Sequence, residues 1–237
     1  MRLDKLLANM GYGSRKDVKA LIKKKQVTVN GTIVKDSGIH IDTENDVLDV
    51  AGEAVVYKKY IYLLMNKPPG VISATTDNRE KTVVDLLIEE YRHFEPFPVG
   101  RLDKDTVGLL LLTNDGQLAH RLTSPNKNVG KTYFARIEGR VTKADVDRFA
   151  AGVTLEDGYE TKPAILNIVT TGDISEIEVT ITEGKFHQVK RMFEAVGKQV
   201  IYLKRLRMGS LELDESLKLG EYRELSAEEL AYLMSLR

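Results

Sequence analysis

The stretch Gly100-Arg101-Leu102-Asp103-Lys104-Asp105-Thr106 sets acidic side chains among basic ones, directly ahead of the apolar run Val107-Gly108-Leu109-Leu110-Leu111-Leu112. A carboxylate flanked by Arg101 and Lys104 is expected to keep its charge and to face an anionic ligand. The run behind it reads as a buried strand that would hold the loop still. The combination suits a catalytic carboxylate acting on a phosphate-rich substrate. The same letters also fit a solvated turn before a strand, so the rest of the chain has to decide.

The zero net charge of the 237 residues hides two basic clusters. Arg2, Lys5, Arg15, Lys16, Lys19, Lys23, Lys24 and Lys25 dominate the first 25 residues, and Lys185, Lys190, Arg191, Lys198, Lys204, Arg205 and Arg207 dominate residues 185–207. Two such patches on a neutral chain point to local contact with a polyanion. With no Cys, disulfides and thiolate metal sites are excluded. His40, His93, His120 and His187 are scattered without ligand spacing, so no metal site is expected. Gly130-Lys131-Thr132 looks like the end of a P-loop, but the leading glycine would fall on Pro125 and the residues that follow read as a strand, so no nucleotide cofactor is expected. Met1–Lys25 is too charged for a signal peptide, and no apolar run has the length of a bilayer span. A cytoplasmic location is the expectation.

The elements that must position these residues follow from periodicity and punctuation. Leu3, Leu6 and Leu7 predict a helix over 2–9, and Ser14 caps a second helix whose apolar face is Val18, Leu21 and Ile22. The lysines Lys16, Lys19 and Lys23 line its flank. Val27-Thr28-Val29 and Thr32-Ile33-Val34 form a hairpin about Asn30-Gly31, and 47–50 adds a strand. The pattern weakens over Ala51–Lys59, where a linker is expected. Beyond it, Tyr60–Met65 predicts a strand ended by Asn66-Lys67-Pro68-Pro69-Gly70, and Thr82 predicts the start of a helix reaching Tyr91. Further strands are expected at 107–112, 132–137, 162–169, 175–182 and 200–206, with helices at 117–122, 143–151, 187–196 and from Ser226 to Met234. This order lacks regular βαβ spacing, so the fold class is α+β with a mixed or antiparallel sheet.

The N-terminal unit resembles the S4 RNA-binding domain through Arg2-Leu3-Asp4-Lys5-Leu6-Leu7, Gly13-Ser14-Arg15 and Val27-Thr28-Val29-Asn30-Gly31. Independently of the name, a helix start at Ser14 with a row of lysines makes a phosphate-binding face. The remainder resembles pseudouridine synthases, in particular the ribosomal-RNA branch with an N-terminal S4 domain. The matching residues are Pro98–Leu109, Thr113–Gly116, Lys131-Thr132-Tyr133 and Glu183–Phe193. The resemblance implies a small α/β S4-like domain over 1–55 and, over 60–237, a catalytic domain with a mixed, mostly antiparallel sheet and flanking helices.

It also implies roles. Asp103 matches the family's catalytic aspartate, Tyr133 the aromatic that stacks on the target base, and Lys190 the basic partner of the aspartate, with Arg191 able to share that part. Each has a plain structural alternative: a turn, a core tyrosine, a solvated charge. Relatives often carry Arg at the Lys190 position, and Lys is a less geometric ion-pair partner. Arg2, Lys5, Ser14, Arg15, Lys16, Lys19, Lys23, Asn30, Arg101, His187 and Arg191 are the expected RNA contacts. Asp105 is expected to support the loop through Thr106 or backbone amides. The implied reaction isomerises a uridine to pseudouridine in ribosomal RNA without a cofactor. Gly116-Gln117, Thr123-Ser124-Pro125 and Gly220-Glu221-Tyr222-Arg223 resemble the small-subunit (16S) enzymes more than the large-subunit (23S) ones. The expected partner is therefore 16S rRNA or a ribosomal assembly intermediate, and the expected state a monomer. A 23S enzyme, or a non-catalytic S4-domain RNA-binding assembly factor for which Asp103 is dispensable, are the alternatives. Whether Asp103 attacks the sugar, attacks the base or removes a proton is left open by the sequence.

Overall fold

The computed structural model describes residues 1–124 and 128–236. Pro125, used above against a P-loop and in the small-subunit comparison, lies outside the described residues. The chain divides into two compact units, Met1–Ile61 with Leu87–Pro96, and Tyr62–Leu86 with Phe97–Arg237. No helix among the described residues is long and apolar enough to cross a membrane.

The first unit holds α1 (Leu3–Asn9), α2 (Arg15–Lys23) and a four-stranded antiparallel sheet of β1 (Val27–Val29), β2 (Thr32–Ile33), β3 (Leu48–Val50) and β4 (Glu53–Val55) in the order β2-β1-β3-β4. Leu3, Leu6, Leu7, Val18 and Ile22 pack with Val27, Val34, Ile41, Leu48 and Val50, so the helical spacing read from the sequence does bury one stripe per helix. Ser14 accepts from the Asp17 amide and Asp17 accepts from the Ser14 amide, a reciprocal cap that fixes where α2 starts. β4 lies in the stretch read as a linker. Ala51 and Gly52 both take positive φ (56° and 90°), which turns the chain tightly enough for Glu53–Val55 to pair with β3.

In the second unit the chain forms β5 (Tyr62–Lys67). The helix expected from Thr82 to Tyr91 is instead a single 3-10 turn at Val84–Leu86 and, in the first unit, a short α3 (Glu89–Arg92). The amide and hydroxyl of Thr82 both donate to Asp85, which closes the turn, and Ile88 is extended (φ −66°, ψ 159°), which breaks the helix between the two pieces. Apolar spacing alone does not distinguish such turns from one continuous helix. The chain continues through β6 (Phe97–Pro98), β7 (Val107–Thr113), α4 (Gly116–Thr123), β8 (Lys131–Glu138), α5 (Lys143–Ala151), β9 (Ile165–Thr170), β10 (Ile174–Ile181), α6 (Gln188–Glu194), β11 (Gln199–Met208), β12 (Leu211–Glu212), β13 (Tyr222–Glu224) and α7 (Ala227–Ser235).

These strands form one sheet in the order β13-β5-β7-β11-β8-β10-β9, with β12 on β11 and β6 on β7. Among the named strands every pairing is antiparallel except β7 with β11. β7 is central and buried along its whole length, as its unbroken apolar run requires of a strand covered on both faces. One side of it meets Leu64, Val99, Leu118, Leu122, Met208 and Leu233. A Leu111→Ala change there would leave a cavity costing about 2–5 kcal/mol. At Gly108 (φ 101°) a Cβ would lie 2.3 Å from the Arg205 carbonyl oxygen, so glycine is required where β7 and β11 come together.

Candidate active site

The loop Gly100–Thr106 enters β7, and the strand fixes only its far end. The near side is held from β5 and the turn that follows. The Lys67 side chain is fully buried, and its ammonium donates to the carbonyls of Asp103 (3.0 Å), Thr106 (3.0 Å), Pro68 (3.0 Å) and Lys104 (3.4 Å). Burial lowers its pKa to about 8, with the charges of Asp103 and Asp105 working the other way. Ser73 Oγ accepts from the Leu102 amide (3.0 Å) and donates to the Leu102 carbonyl (2.9 Å). The Gly70 amide donates to Lys104 O (2.8 Å). The loop backbone is therefore pinned along its length, which leaves the Asp103 side chain in a defined place.

The other wall is the segment before α6. Glu183 is buried and accepts from Tyr159 Oη (2.7 Å), the Lys162 amide (2.9 Å) and Gln188 Nε2 (2.7 Å). The Gln188 side-chain oxygen in turn accepts from the Lys185 amide (2.9 Å). This network shapes the turn that puts His187 at the start of α6 in a left-handed conformation (φ 49°), uncommon for a non-glycine residue. His187 Nε2 lies 3.5 Å from Asp103 Oδ1. One helical step on, Lys190 Nζ reaches Asp103 Oδ2 (3.1 Å) and both oxygens of Asp105 (2.7 and 2.9 Å). Burial opposes the Lys190 charge, but its bonds to Asp105 and Asp103 outweigh that and raise its pKa above the ordinary lysine value. Burial likewise works against the Asp105 carboxylate, yet the bond from Lys190 brings its pKa below the usual value.

The floor is the sheet. Tyr133 on β8 stands directly opposite Arg205 on β11, and cross-strand neighbours share a face. Tyr133, Arg205, Lys131, Leu203, Met208 and Ile181 all line one cavity of about 350 Å³, together with Arg101, Asp103 and His187. That volume falls in the range of small-ligand sites. Arg205 is 2 % exposed; its Nε donates to Leu109 O (2.8 Å), and its Nη2 is buried without a hydrogen-bond partner. Lys131 beside it has a lowered pKa, first from burial and then from the Arg205 charge. One buried and one half-buried cation, an aromatic face and a carboxylate with a lysine partner thus converge on one space. Such a set can hold a flat, anionic or carbonyl-rich group against an acidic residue.

The structure brings Asp103, Tyr133, Arg101 and His187 to this cavity and Lys190 to Asp103. Other expectations are corrected. Asp105 is held by Lys190 and, more weakly, by its own backbone amide rather than by Thr106. Arg191 turns away to Asp157 (2.5 Å) and Glu156 (3.6 Å), so it does not share the role of Lys190, and its guanidinium is already paired. Lys104, expected to flank the carboxylate, pairs with Glu80 (2.7 Å). In the first unit Lys5, Arg15, Lys16, Lys19 and Lys23 are exposed. Arg2 donates through Nε and Nη2 to the buried Asp4, and the Ser14 hydroxyl is used in the cap of α2. The Asn30 side chain donates to Asp46 and accepts from the Val47 amide, a structural use that follows from its turn position. Sequence reasoning missed Lys67, Ser73, Glu183, Gln188 and Arg205. Of these, Glu183 and Gln188 lie in the stretch that carries the resemblance and Arg205 in the second basic cluster, but nothing in the sequence marked their burial or their partners.

With this geometry in place, comparison with known proteins gives consistent matches. The family model described as RNA pseudouridylate synthase matches residues 61–195, and that of the S4 domain matches residues 1–48. An RNA pseudouridine synthase of Bacillus subtilis is 56% identical over 234 residues, covering 98% of both chains. Ribosomal small subunit pseudouridine synthase A of Escherichia coli is 40% identical over 232 residues, covering 98% of this chain and 99% of that one. A crystal structure of a pseudouridylate synthase superposes over all of both chains with a TM-score of 0.68 at 35% identity.

Proposed function

The chain belongs to the RNA pseudouridylate synthase family, and from that membership we propose that it converts one uridine of 16S ribosomal RNA to pseudouridine, with Asp103 as the catalytic carboxylate. The observation that carries the assignment to Asp103 is its place: a carboxylate on a backbone pinned by Lys67 and Ser73, bonded to Lys190 and facing a cavity floored by Tyr133. The 16S target is supported by the full-length likeness to the small-subunit enzyme of Escherichia coli.

In this reaction the bond from ribose C1′ to uracil N1 breaks and a bond from C1′ to C5 forms. C5 loses its proton and N1 gains one, so the product is an isomer and the stoichiometry calls for no co-reactant. The uridine must leave its stack to enter the cavity, at a cost of a few kcal/mol. Stacking on Tyr133 offsets part of that cost, and Arg101 at the rim holds the RNA open around the vacated position. Asp103 faces the entering nucleoside and begins the exchange at the glycosidic bond, while Lys190 keeps the carboxylate aimed. Arg205 and Lys131 place positive charge where the detached uracil carries negative charge in its oxygens. Residues 1–55 serve as the docking domain, with Lys16, Lys19 and Lys23 on α2 meeting phosphates of a neighbouring RNA element, and residues 60–237 carry out the chemistry. The protein acts as a monomer in the cytoplasm.

The test is tritium release from 16S and 23S RNA labelled at uracil C5, each supplied as a free transcript and as a partly assembled subunit. Release from 16S RNA with mapping to one uridine is the expected result. Release from 23S alone would move the target to the large subunit, and release from neither would remove the catalytic reading.

A further inference from the structure

Phe186 is 75 % exposed, more than any other large apolar side chain among the described residues. Leaving a phenylalanine in water forfeits about 1.5–3 kcal/mol of burial, so a ring placed there calls for an explanation. The ring stacks on His187, with centroids 3.7 Å apart and planes at 18°. His187 is itself held by the left-handed turn at the start of α6 and reaches to 3.5 Å from Asp103. A continuous path thus runs from solvent through two stacked rings to the catalytic carboxylate.

The surroundings of Phe186 narrow what it meets. It shares a shallow depression with Glu156, Asp157, Lys190, Arg191 and Glu194. Arg191 is already paired with Glu156 and Asp157, and Lys190 with Asp103 and Asp105. A phosphate would find neutralised cations and nearby carboxylates, so the depression is a poor phosphate seat. An apolar protein surface would find one ring among charges. A nucleobase suits it on both counts, since its flat face stacks on phenylalanine and its amino groups can donate to carboxylates.

We infer that Phe186, backed by His187, is a stacking platform for an unpaired nucleobase that flanks the target uridine. This rests on the pseudouridine synthase reading and extends it to a second base-binding position outside the cavity. The platform draws the RNA in by stacking and keeps His187 beside Asp103 when the uridine enters.

The test compares full-length wild type with Phe186→Ala, Phe186→Leu and Phe186→Tyr on a 16S transcript whose modified uridine has been mapped. Tritium release gives KM and kcat, and 2-aminopurine placed at each nucleotide within two positions of that uridine reports stacking by fluorescence quenching. Stacking on an aromatic is worth about 1–3 kcal/mol per base, so KM should rise roughly 5- to 150-fold for both Phe186→Ala and Phe186→Leu. Phe186→Tyr should stay within about twofold of wild type, and quenching at one flanking position should vanish with Ala and Leu and persist with Tyr. A Leu variant with wild-type KM, or quenching that survives in the Ala variant, would overturn the platform. If the wild-type protein released no tritium, the functional reading would fall and the platform with it, a failure visible before any variant is compared.

Discussion

The catalytic loop and helix α2 both meet a polyanion in the proposed reading, yet they are built in opposite ways. Asp103 is half-buried and paired with Lys190, and the backbone around it is bonded at Leu102, Asp103, Lys104 and Thr106. On α2 the lysines stand in solvent, and the cap and apolar stripe hold the helix without fixing those side chains. Chemistry at one atom needs a position fixed to a fraction of an ångström, because misplacement by about 1 Å can cost a hundredfold in rate. Phosphate attraction falls off slowly with distance and tolerates mobile side chains. The two regions therefore should fail differently when changed.

The comparison is broken most directly at Asp103. Asp103→Asn keeps the shape and removes the reactive oxygen charge, so tritium release should fall by at least about a thousandfold, while filter binding of 16S RNA changes by less than about twofold. Near-normal turnover would mean this loop is not the reacting one. Next in size is Lys190→Met, expected to lower kcat by about a hundredfold because the carboxylate loses its aim; Lys190→Arg should recover most of this, since a guanidinium can span Asp103 and Asp105. Lys67→Met comes third. It touches no substrate, but four carbonyls lose a donor, so kcat should drop about tenfold and thermal unfolding should move to lower temperature.

Lys67 also predicts a pH signature. Its proton leaves the folded protein near pH 8, whereas the unfolded chain keeps it to about 10.5. Between those values the unfolded state binds more protons, so this group makes the fold more stable as pH rises. Over the same range the loop loses the charge that grips it, and kcat should decline. Stability and rate moving in opposite directions above pH 8, in wild type but not in Lys67→Met, is the expected pattern in parallel unfolding and tritium-release titrations. The smallest effects belong to α2. Lys16→Gln, Lys19→Gln and Lys23→Gln should each weaken RNA binding a few-fold and flatten the dependence of log K on log salt by about one unit, with kcat unchanged.

Much of the machinery was legible in the residues because it lies in contiguous stretches. Asp103 stands out between charged neighbours and an apolar strand, and the resemblance pairs it with Lys190, which the structure places 3.1 Å away. The core stripe of α1 and α2 could be read from spacing alone. What stayed hidden depends on burial and on distant pairing. Lysine is almost never fully buried, so Lys67 reads as a turn residue until the fold closes over it. Arg205 joins the cavity only because β11 lies beside β8, in a register the sequence does not display. The sharing of Lys190 between Asp103 and Asp105 depends on side-chain reach across 85 positions of chain. The helix expected after Thr82 failed because a local turn through Asp85 competes with helical continuation, and spacing cannot choose between them.

The strand order also bears on how the protein is made. The loop with Asp103 lies between β5 and β7, but β7 is flanked by β11, and β5 by β13, whose Tyr222–Glu224 pairs with Leu63–Met65. These partners are separated by about a hundred residues (β7 and β11) and by more than a hundred and fifty (β5 and β13), and closing such long loops is slow and comes late in folding. On a translating ribosome the residues of α1, α2 and β1–β4 emerge early, whereas the cavity floor must wait for β11 and the outer edge for β13. Binding to RNA can therefore mature before catalysis does, and a chain interrupted ahead of β11 would carry the lysine face without an assembled cavity.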